Sequence, residues 1–234
     1  GEIPKHVSII MDGNRRFAWN KSSKTAVGHA EGKEKLKEVM DWVLDLGVPY
    51  FTVYALSTEN ISERDREELE ILYDLYVSGL DEISVDPRIH ERRVKVQVVG
   101  RLNMLPPRVR ESIENAENLT SHYSDFTFTV CLAYGGREEI VDAVRSVATD
   151  YASGTLDINS INSSEITKRM YAAELPDPDL VIRTSGEERI SNFLLWQIAY
   201  SELHFTDVFW PSFSKSDLYE AIESYQYRRR RYGE

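Results

Sequence analysis

A single cysteine, Cys131, among 234 residues leaves no disulfide framework and no four-cysteine metal site. It sits inside an apolar, β-branched run, where a thiol reads as a packed core group rather than a nucleophile. The chain suits a reducing compartment, and the expected location is cytoplasmic. Positive charge is also short. Lys and Arg number 28 against 39 Asp and Glu, a net charge of -11, so no global basic field exists to hold nucleic acid. No stretch approaches the roughly 20 apolar residues of a spanning helix, and the opening GEIPKHVSIIMDGN has none of the parts of a secretory signal. The expectation is a soluble protein, which still allows a lipid substrate hidden in a pocket. Three motifs are missing as well: GxxxxGK[ST], GxGxxG and GxSxG. Their absence removes most of the case for nucleotide hydrolysis, dinucleotide redox chemistry and serine hydrolysis.

What is present is enough apolar surface for a core, 41% hydrophobic and 11% aromatic residues, in a length that fits one domain over 1–234. Strand-like runs alternate with helix-periodic segments, the pattern of crossover units feeding a parallel sheet. The predicted strands are His6–Met11, Tyr50–Ala55, Val94–Val99, Phe126–Ala133, Leu180–Arg183 and His204–Val208. The predicted helices are Gly32–Leu46, Asp65–Ser84, Pro107–His122, Arg137–Tyr151, Ser164–Ala173 and Ser216–Arg230. Val94–Val99 and Phe126–Ala133 are apolar on both faces and belong inside a sheet covered on each side. The fold class is therefore α/β, with a central, mainly parallel six-stranded sheet flanked by helices. The acidic run Glu63–Glu70 reads as a solvated helix face.

Ligands of open parallel sheets sit beyond the carboxyl ends of the strands, and three such ends are unusual here. Met11-Asp12-Gly13-Asn14-Arg15-Arg16 follows the first strand and combines a carboxylate, a glycine that lets backbone amides approach an anion, and two guanidiniums. Asp12 there can recruit a divalent cation. Leu56-Ser57-Thr58-Glu59-Asn60 follows the second strand. After the fifth come Arg183 and, around a glycine turn, Arg189. An arginine ending an apolar strand is costly unless an anion or a carboxylate pairs with it. Cations, hydroxyls and one lone aspartate on one edge favour a diphosphate with magnesium.

The blocks HVSIIMDGNRRFA, GHAEG, YALSTEN, YGGREEIVDA, LPDPDLVIRTSGEERISNFLLWQIAYSELHFTDVFWP and RRRRYG stand in the order found in the cis-prenyltransferases, and the chain closely resembles that family from His6 to Gly233. The resemblance implies a homodimer that elongates an allylic prenyl diphosphate with isopentenyl diphosphate in the presence of Mg²⁺; whether product release needs peripheral membrane contact is left open by the sequence. It implies that Asp12 is the essential aspartate. Gly13, Asn14, Arg15 and Arg16 would surround the allylic diphosphate, with Phe17 where a larger aromatic is usual and His29 reaching the same group. Ser57, Thr58 and Glu59 match the motif beside the reacting carbons, and Asn60 the residue tied to proton removal. Arg183, Arg189, Ile190 and Ser191 match the isopentenyl diphosphate site, and Glu202 an acid associated with magnesium. Arg231 and Gly233 would lie near that site. Trp196, Tyr200, Phe205 and Trp210 are expected in the dimer interface and core.

Three departures fall on the donor side. Thr25 stands where the family commonly has an arginine, beside Lys24. Glu63 replaces another, beside Arg64, and Leu56 replaces a large aromatic. Three readings follow: a chain-elongating synthase, a prenyltransferase with an altered acceptor or an irregular condensation, and a non-catalytic subunit of a heteromeric synthase. Asp12 counts against the last.

Overall fold

Five-residue runs such as His6–Ile10, buried at every position, can lie only in a sheet covered on both faces. The computed structural model, which describes residues 1–232, has that arrangement. Six strands, β1 (His6–Ile10), β2 (Tyr50–Tyr54), β3 (Val94–Val99), β4 (Phe126–Cys131), β5 (Leu180–Arg183) and β6 (Glu202–Phe205), form one sheet in the order β3-β4-β2-β1-β5-β6. Every pairing is parallel, so the predicted "mainly parallel" sheet is wholly so. The helices are α1 (Asn14–Asn20), α2 (Thr25–Asp45), α3 (Thr58–Glu63), α4 (Arg66–Val85), α5 (Pro87–Glu91), α6 (Pro107–Thr120), α7 (Gly136–Ala152), α8 (Ser163–Thr167) and α9 (Lys215–Tyr232).

Side chains alternate across the sheet as the strand period requires. Val7 and Ile9 of β1 join a large core with Val39 and Val43 of α2, Leu72 and Leu80 of α4 and Leu218 of α9. Ile10, Tyr54, Cys131 and Val181 face the other way, onto Tyr134, Phe193, Leu194 and Ile198. Buried polar groups between strands are paired, as burial demands: His6 Nε2 and Thr52 Oγ1 stand 2.7 Å apart, and burial lowers the imidazole pKa to about 4, keeping it neutral.

The helix predicted over Gly32–Leu46 begins earlier, at Thr25, and the strand predicted to reach Ala133 ends at Cys131; two further boundaries differ for local reasons. The helix predicted to reach Ala173 ends at Thr167, and beyond it the Tyr171 amide is held by Glu139 Oε2 at 2.8 Å. The last strand begins two residues early, at Glu202, and ends at Phe205. Thr206 and Val208 instead cap the loop after β5, accepting from the amides of Gly186 and Ser185 at 2.9 and 2.8 Å.

The chain order around β1 decides where a ligand can bind. From β1 it moves to β2 on one side, and later returns to add β5 and β6 on the other. The crevice of an open α/β sheet opens where that direction changes, outside the carboxyl ends of β1 and β5.

Candidate active site

The register pairs Ile10 with Arg183 across β1 and β5. Two residues on, Asp12 meets that arginine: Arg183 Nη2 donates to Asp12 Oδ2 at 3.0 Å. Arg183 is buried, 6% exposed, and its Nη1 also donates to Arg189 O at 2.6 Å and Ser191 Oγ at 2.7 Å. Its Nε has no partner among the described residues. The strand-ending arginine thus finds its anion in Asp12 rather than in the nearby glutamates. Thr184 fixes the Asp12 backbone, since its hydroxyl accepts from Asp12 N at 2.9 Å and donates to Asp12 O at 2.6 Å. Gly13 follows at φ +110°, where any other residue would be strained and where an added Cβ would strike Phe209.

Gly13 caps α1, a helix that sequence reasoning took for a turn, because seven residues beginning Asn-Arg-Arg carry little periodicity. Gly13 has no side chain to cap it, and the amides of the helix's first turn have no side-chain partner among the described residues. The glycines of GHAEG explain how α1 sits. An added Cβ on Gly28 would lie 2.1 Å from Asn14 O, and one on Gly32 would lie 2.5 Å from Asn14 Oδ1. The two helices cross flush, with Asn14 wedged against those glycines and its Oδ1 buried without a partner among the described residues. Gly28→Ala would gain up to about 1 kcal/mol in helix propensity but force a backbone clash costing about 1–3 kcal/mol. The expected outcome is a net loss of stability in thermal unfolding together with a raised KM for the substrate whose anion α1 faces. A more stable variant with unchanged kinetics would overturn this reading of the motif.

After β2, Ser57 and Asn60 make a reciprocal cap of α3. Ser57 Oγ accepts from Asn60 N at 3.0 Å, and Asn60 Oδ1 accepts from Ser57 N at 3.3 Å. Asn60 lines the cavity, with its Oδ1 engaged once by the Ser57 amide and its NH₂ without a partner among the described residues. Thr58 is buried, its amide bonded to Tyr134 O at 3.0 Å. Glu59 Oε1 accepts from Asn192 Nδ2 at 2.9 Å, tying this end to the loop after β5.

A cavity of about 550 Å³ joins these strand ends to a groove between α2 and α4. Asp12, Asn14, Arg15, Arg16, His29, Asn60, Arg64, Arg183 and Ser191 stand at its polar mouth. Leu36 and Met40 of α2, Leu72, Leu75 and Ile83 of α4, and Phe128 and Val130 of β4 form its apolar walls. Lys33 Nζ donates to Ser78 Oγ at 3.1 Å and Glu82 Oε1 at 2.9 Å, and Lys37 also bonds Glu82, so polar contacts join α2 to α4 along one flank. A cationic mouth on an apolar tunnel fits an amphiphile with an anionic head and a hydrocarbon tail.

Several expected residues stand elsewhere. Phe17 is buried away from the cavity wall, with Lys21 Nζ 4.2 Å from its ring centroid. Arg189 is 64% exposed at its side chain and paired with Glu187, and Ile190 packs against the second core. Arg16, by contrast, stays at the mouth, where it bonds Ser185 and lies 3.4 Å from Glu187 and 3.7 Å from Asp12. Glu202 pairs with Leu180, at the amino end of the sheet, and binds Arg228 at 3.1 Å. That puts it about 10 Å down the strands from the level of Arg183, so within one chain it does not share a cation with Asp12. Gly233 and the side chain of Arg231 fall outside the described residues. Trp210 is core, donating from Nε1 to Gly32 O at 2.9 Å, whereas Tyr200 is 99% exposed.

Glu68 was not legible as part of the site. It lies in the run read as a solvated face, yet its carboxylate gathers Arg15 Nη2 at 2.6 Å, His29 Nε2 at 3.0 Å and Arg64. Although burial opposes ionisation, these donors win and lower its pKa to about 2. Arg64 thereby reaches the cavity, while Lys24 is exposed and outside it. Asn192 was missed too. Its side chain holds Glu59, Glu138 at 3.0 Å and the Arg137 amide at 2.9 Å, and its φ of +64° is one that asparagine tolerates.

No group of three His, Cys, Asp or Glu residues forms a metal cage among the described residues. Mg²⁺, however, is commonly held by one or two carboxylates plus substrate phosphates. Asp12 fits that use: Arg183 and Arg16 both approach Oδ2, and Oδ1 accepts no hydrogen bond among the described residues.

Residues 10–233 match the family described as undecaprenyl diphosphate synthase. The chain is 53% identical over 233 residues to the tritrans,polycis-undecaprenyl-diphosphate synthase (geranylgeranyl-diphosphate specific) of Methanopyrus kandleri, covering 100% of this chain and 86% of that one. It is 48% identical to the enzyme of the same name from Pyrococcus horikoshii, covering 100% and 88%. Among solved structures it resembles lavandulyl diphosphate synthase from Lavandula x intermedia in complex with dimethylallyl diphosphate, with a TM-score of 0.91, 32% identity and 95% of both chains covered.

Proposed function

The chain belongs to the undecaprenyl diphosphate synthase family of prenyl-group transferases, and on that basis we propose that it extends an allylic prenyl diphosphate with isopentenyl diphosphate by cis condensation. The observation that carries this reading is the cavity itself: cationic and polar groups from three strand ends at the mouth of an apolar tunnel between α2 and α4. The names of the relatives favour geranylgeranyl diphosphate as the primer and a polyprenyl diphosphate as the product.

Two anions must be held side by side. In this reading Arg15, Arg64, His29 and the first-turn amides of α1 take the donor diphosphate, and its hydrocarbon chain runs down the tunnel. Arg183, Ser191 and Arg16 take isopentenyl diphosphate at the β1/β5 crevice. When the allylic C–O bond breaks, negative charge grows on the leaving diphosphate, and preformed cations in a partly dry mouth stabilise that charge more than the ground state. The isopentenyl double bond attacks the allylic carbon, a C–C bond forms, one proton leaves the former isopentenyl unit, and diphosphate departs. Mg²⁺ held by Asp12 would supply further charge neutralisation there. Asn60 would orient a substrate oxygen through its NH₂ group.

Both isolated donor-side departures can be tested for compensation. Arg64 lines the cavity and should raise the donor KM at least about tenfold when changed to alanine, the loss of one charge-assisted contact of about 1.5 kcal/mol or more. Lys24→Ala should stay within about twofold, since its exposed charge is screened. Equal effects from the two would contradict this placement.

The exposed Val141, Val144 and Tyr200 are surface of the kind that a homodimer would cover, and sedimentation would measure its formation. No helix among the described residues is long and apolar enough to cross a membrane. The direct test of function is incubation of the purified chain with Mg²⁺, labelled isopentenyl diphosphate and allylic primers of several lengths. Regular Z-polyprenyl products support the reading. Branched products would favour an irregular condensation, and no incorporation would favour a subunit role.

A further inference from the structure

Resting on the donor-site reading above, we propose that Glu68 fixes the tautomer of His29 so that binding of a prenyl diphosphate draws one proton from solvent onto His29. Glu68 does not line the cavity; it stands behind three groups that do, Arg15, His29 and Arg64. It is a positioning residue, acting on the ligand through them.

The argument is one of donors and acceptors. Three hydrogen-bond donors keep the Glu68 carboxyl ionised at neutral pH, and a carboxylate only accepts. The hydrogen between Glu68 Oε1 and His29 Nε2, 3.0 Å apart, therefore belongs to the imidazole. The charged groups facing the ring are Arg15 on α1, Arg64 between α3 and α4, and Glu68 on α4. Burial, aided by the two guanidiniums, lowers the pKa of His29 despite the pull of Glu68, so the empty site holds a neutral ring. A neutral ring with its hydrogen on Nε2 offers a lone pair at Nδ1, and Nδ1 has no partner among the described residues.

A phosphate oxygen is also an acceptor. The ring can bond it only after Nδ1 gains a proton, which comes from solvent with no other bond broken. The imidazolium is then held between two anions, the carboxylate behind it and the diphosphate in front. Nearby opposite charge of that kind favours the charged imidazole and raises its pKa, against the burial and guanidiniums that lower it in the empty site. A glutamine at 68 would act differently. Its NH₂ can donate to Nε2, leaving the neutral ring free to carry its hydrogen on Nδ1 and bond the phosphate without taking up a proton.

The test is calorimetric titration of the whole chain with a prenyl thiodiphosphate, whose C–S bond resists ionisation, in two buffers of different protonation enthalpy. At about pH 7.5 the terminal phosphate, with a pKa of about 6, releases almost nothing. The wild-type chain is expected to take up protons on binding, seen as a binding heat that differs between the two buffers. Glu68→Gln should bind with uptake near zero, as should His29→Asn, which keeps an amide donor but cannot be charged. Above about pH 7 the wild-type affinity should fall as pH rises toward the bound-state pKa of His29, and that of Glu68→Gln should stay flat. Tight binding by the wild type with no proton uptake, or unchanged uptake in Glu68→Gln, would overturn the inference while leaving the donor site in place. No binding by the wild type would overturn the donor-site reading as well.

Discussion

Asp12→Ala is expected to lose nearly all turnover, at least about a thousandfold in kcat, or roughly 4 kcal/mol of barrier, while keeping its fold. Asp12 stands between an apolar strand and the cap of α1, at the point where both proposed diphosphates approach. Truncation removes the carboxylate oxygen available to a cation and the anion that partners Arg183 Nη2. The second loss has a structural price. Arg183 is buried and would keep only Arg189 O and Ser191 Oγ, so stability should fall by up to about 3 kcal/mol, less where water reaches the part-exposed aspartate. Asp12→Asn separates the two effects, because it keeps an acceptor for Arg183 and removes the charge. It should melt close to wild type and remain nearly inactive. Activity within about tenfold of wild type, a barrier change of only ~1.4 kcal/mol, would refute the role.

Arg183→Ala should raise the KM for isopentenyl diphosphate about ten- to a hundredfold, corresponding to about 1.5–3 kcal/mol for a charge-assisted contact, and change the donor KM much less. The guanidinium ends β5, reaches the cavity with its fork held by Asp12, Ser191 and a backbone carbonyl, and keeps Nε unpaired. Arg183→Lys should rescue poorly, since an ammonium cannot reproduce a planar fork that spans the β1 and β5 loops. Arg189→Ala should have a smaller effect in the isolated chain, because Arg189 lies outward on Glu187. A donor KM that moves while the isopentenyl KM does not would reverse the two subsites.

Much of the scaffold was legible because burial leaves a strong mark on sequence. Strands covered on both faces must be apolar throughout, and α2, α4 and α7 repeat their apolar residues at helical spacing. The polar strand ends were legible for the complementary reason: Asp12, Asn60 and Arg183 interrupt such runs where nothing in the core needs them. Short elements were not. Helices α1 and α3, of seven and six residues, are set by packing and caps rather than by periodicity. Glu68 was hidden because a carboxylate on an acidic helix looks alike whether it faces water or three cations from other elements. Glu202 is the opposite case: its motif associates it with a metal, and the register that carries it to the far end of the sheet from Asp12 within one chain is revealed only by the tertiary pairing.

The division of the cavity into a donor side, an acceptor side and a tunnel is tested most directly by a crystal structure with a prenyl thiodiphosphate and isopentenyl diphosphate bound together. The expected result places the thiodiphosphate within hydrogen-bond distance of Arg15, His29 and Arg64, its chain between α2 and α4, and the isopentenyl diphosphate on Arg183 and Ser191. A donor diphosphate on Arg183, or a hydrocarbon chain lying outside the α2–α4 groove, would contradict the account.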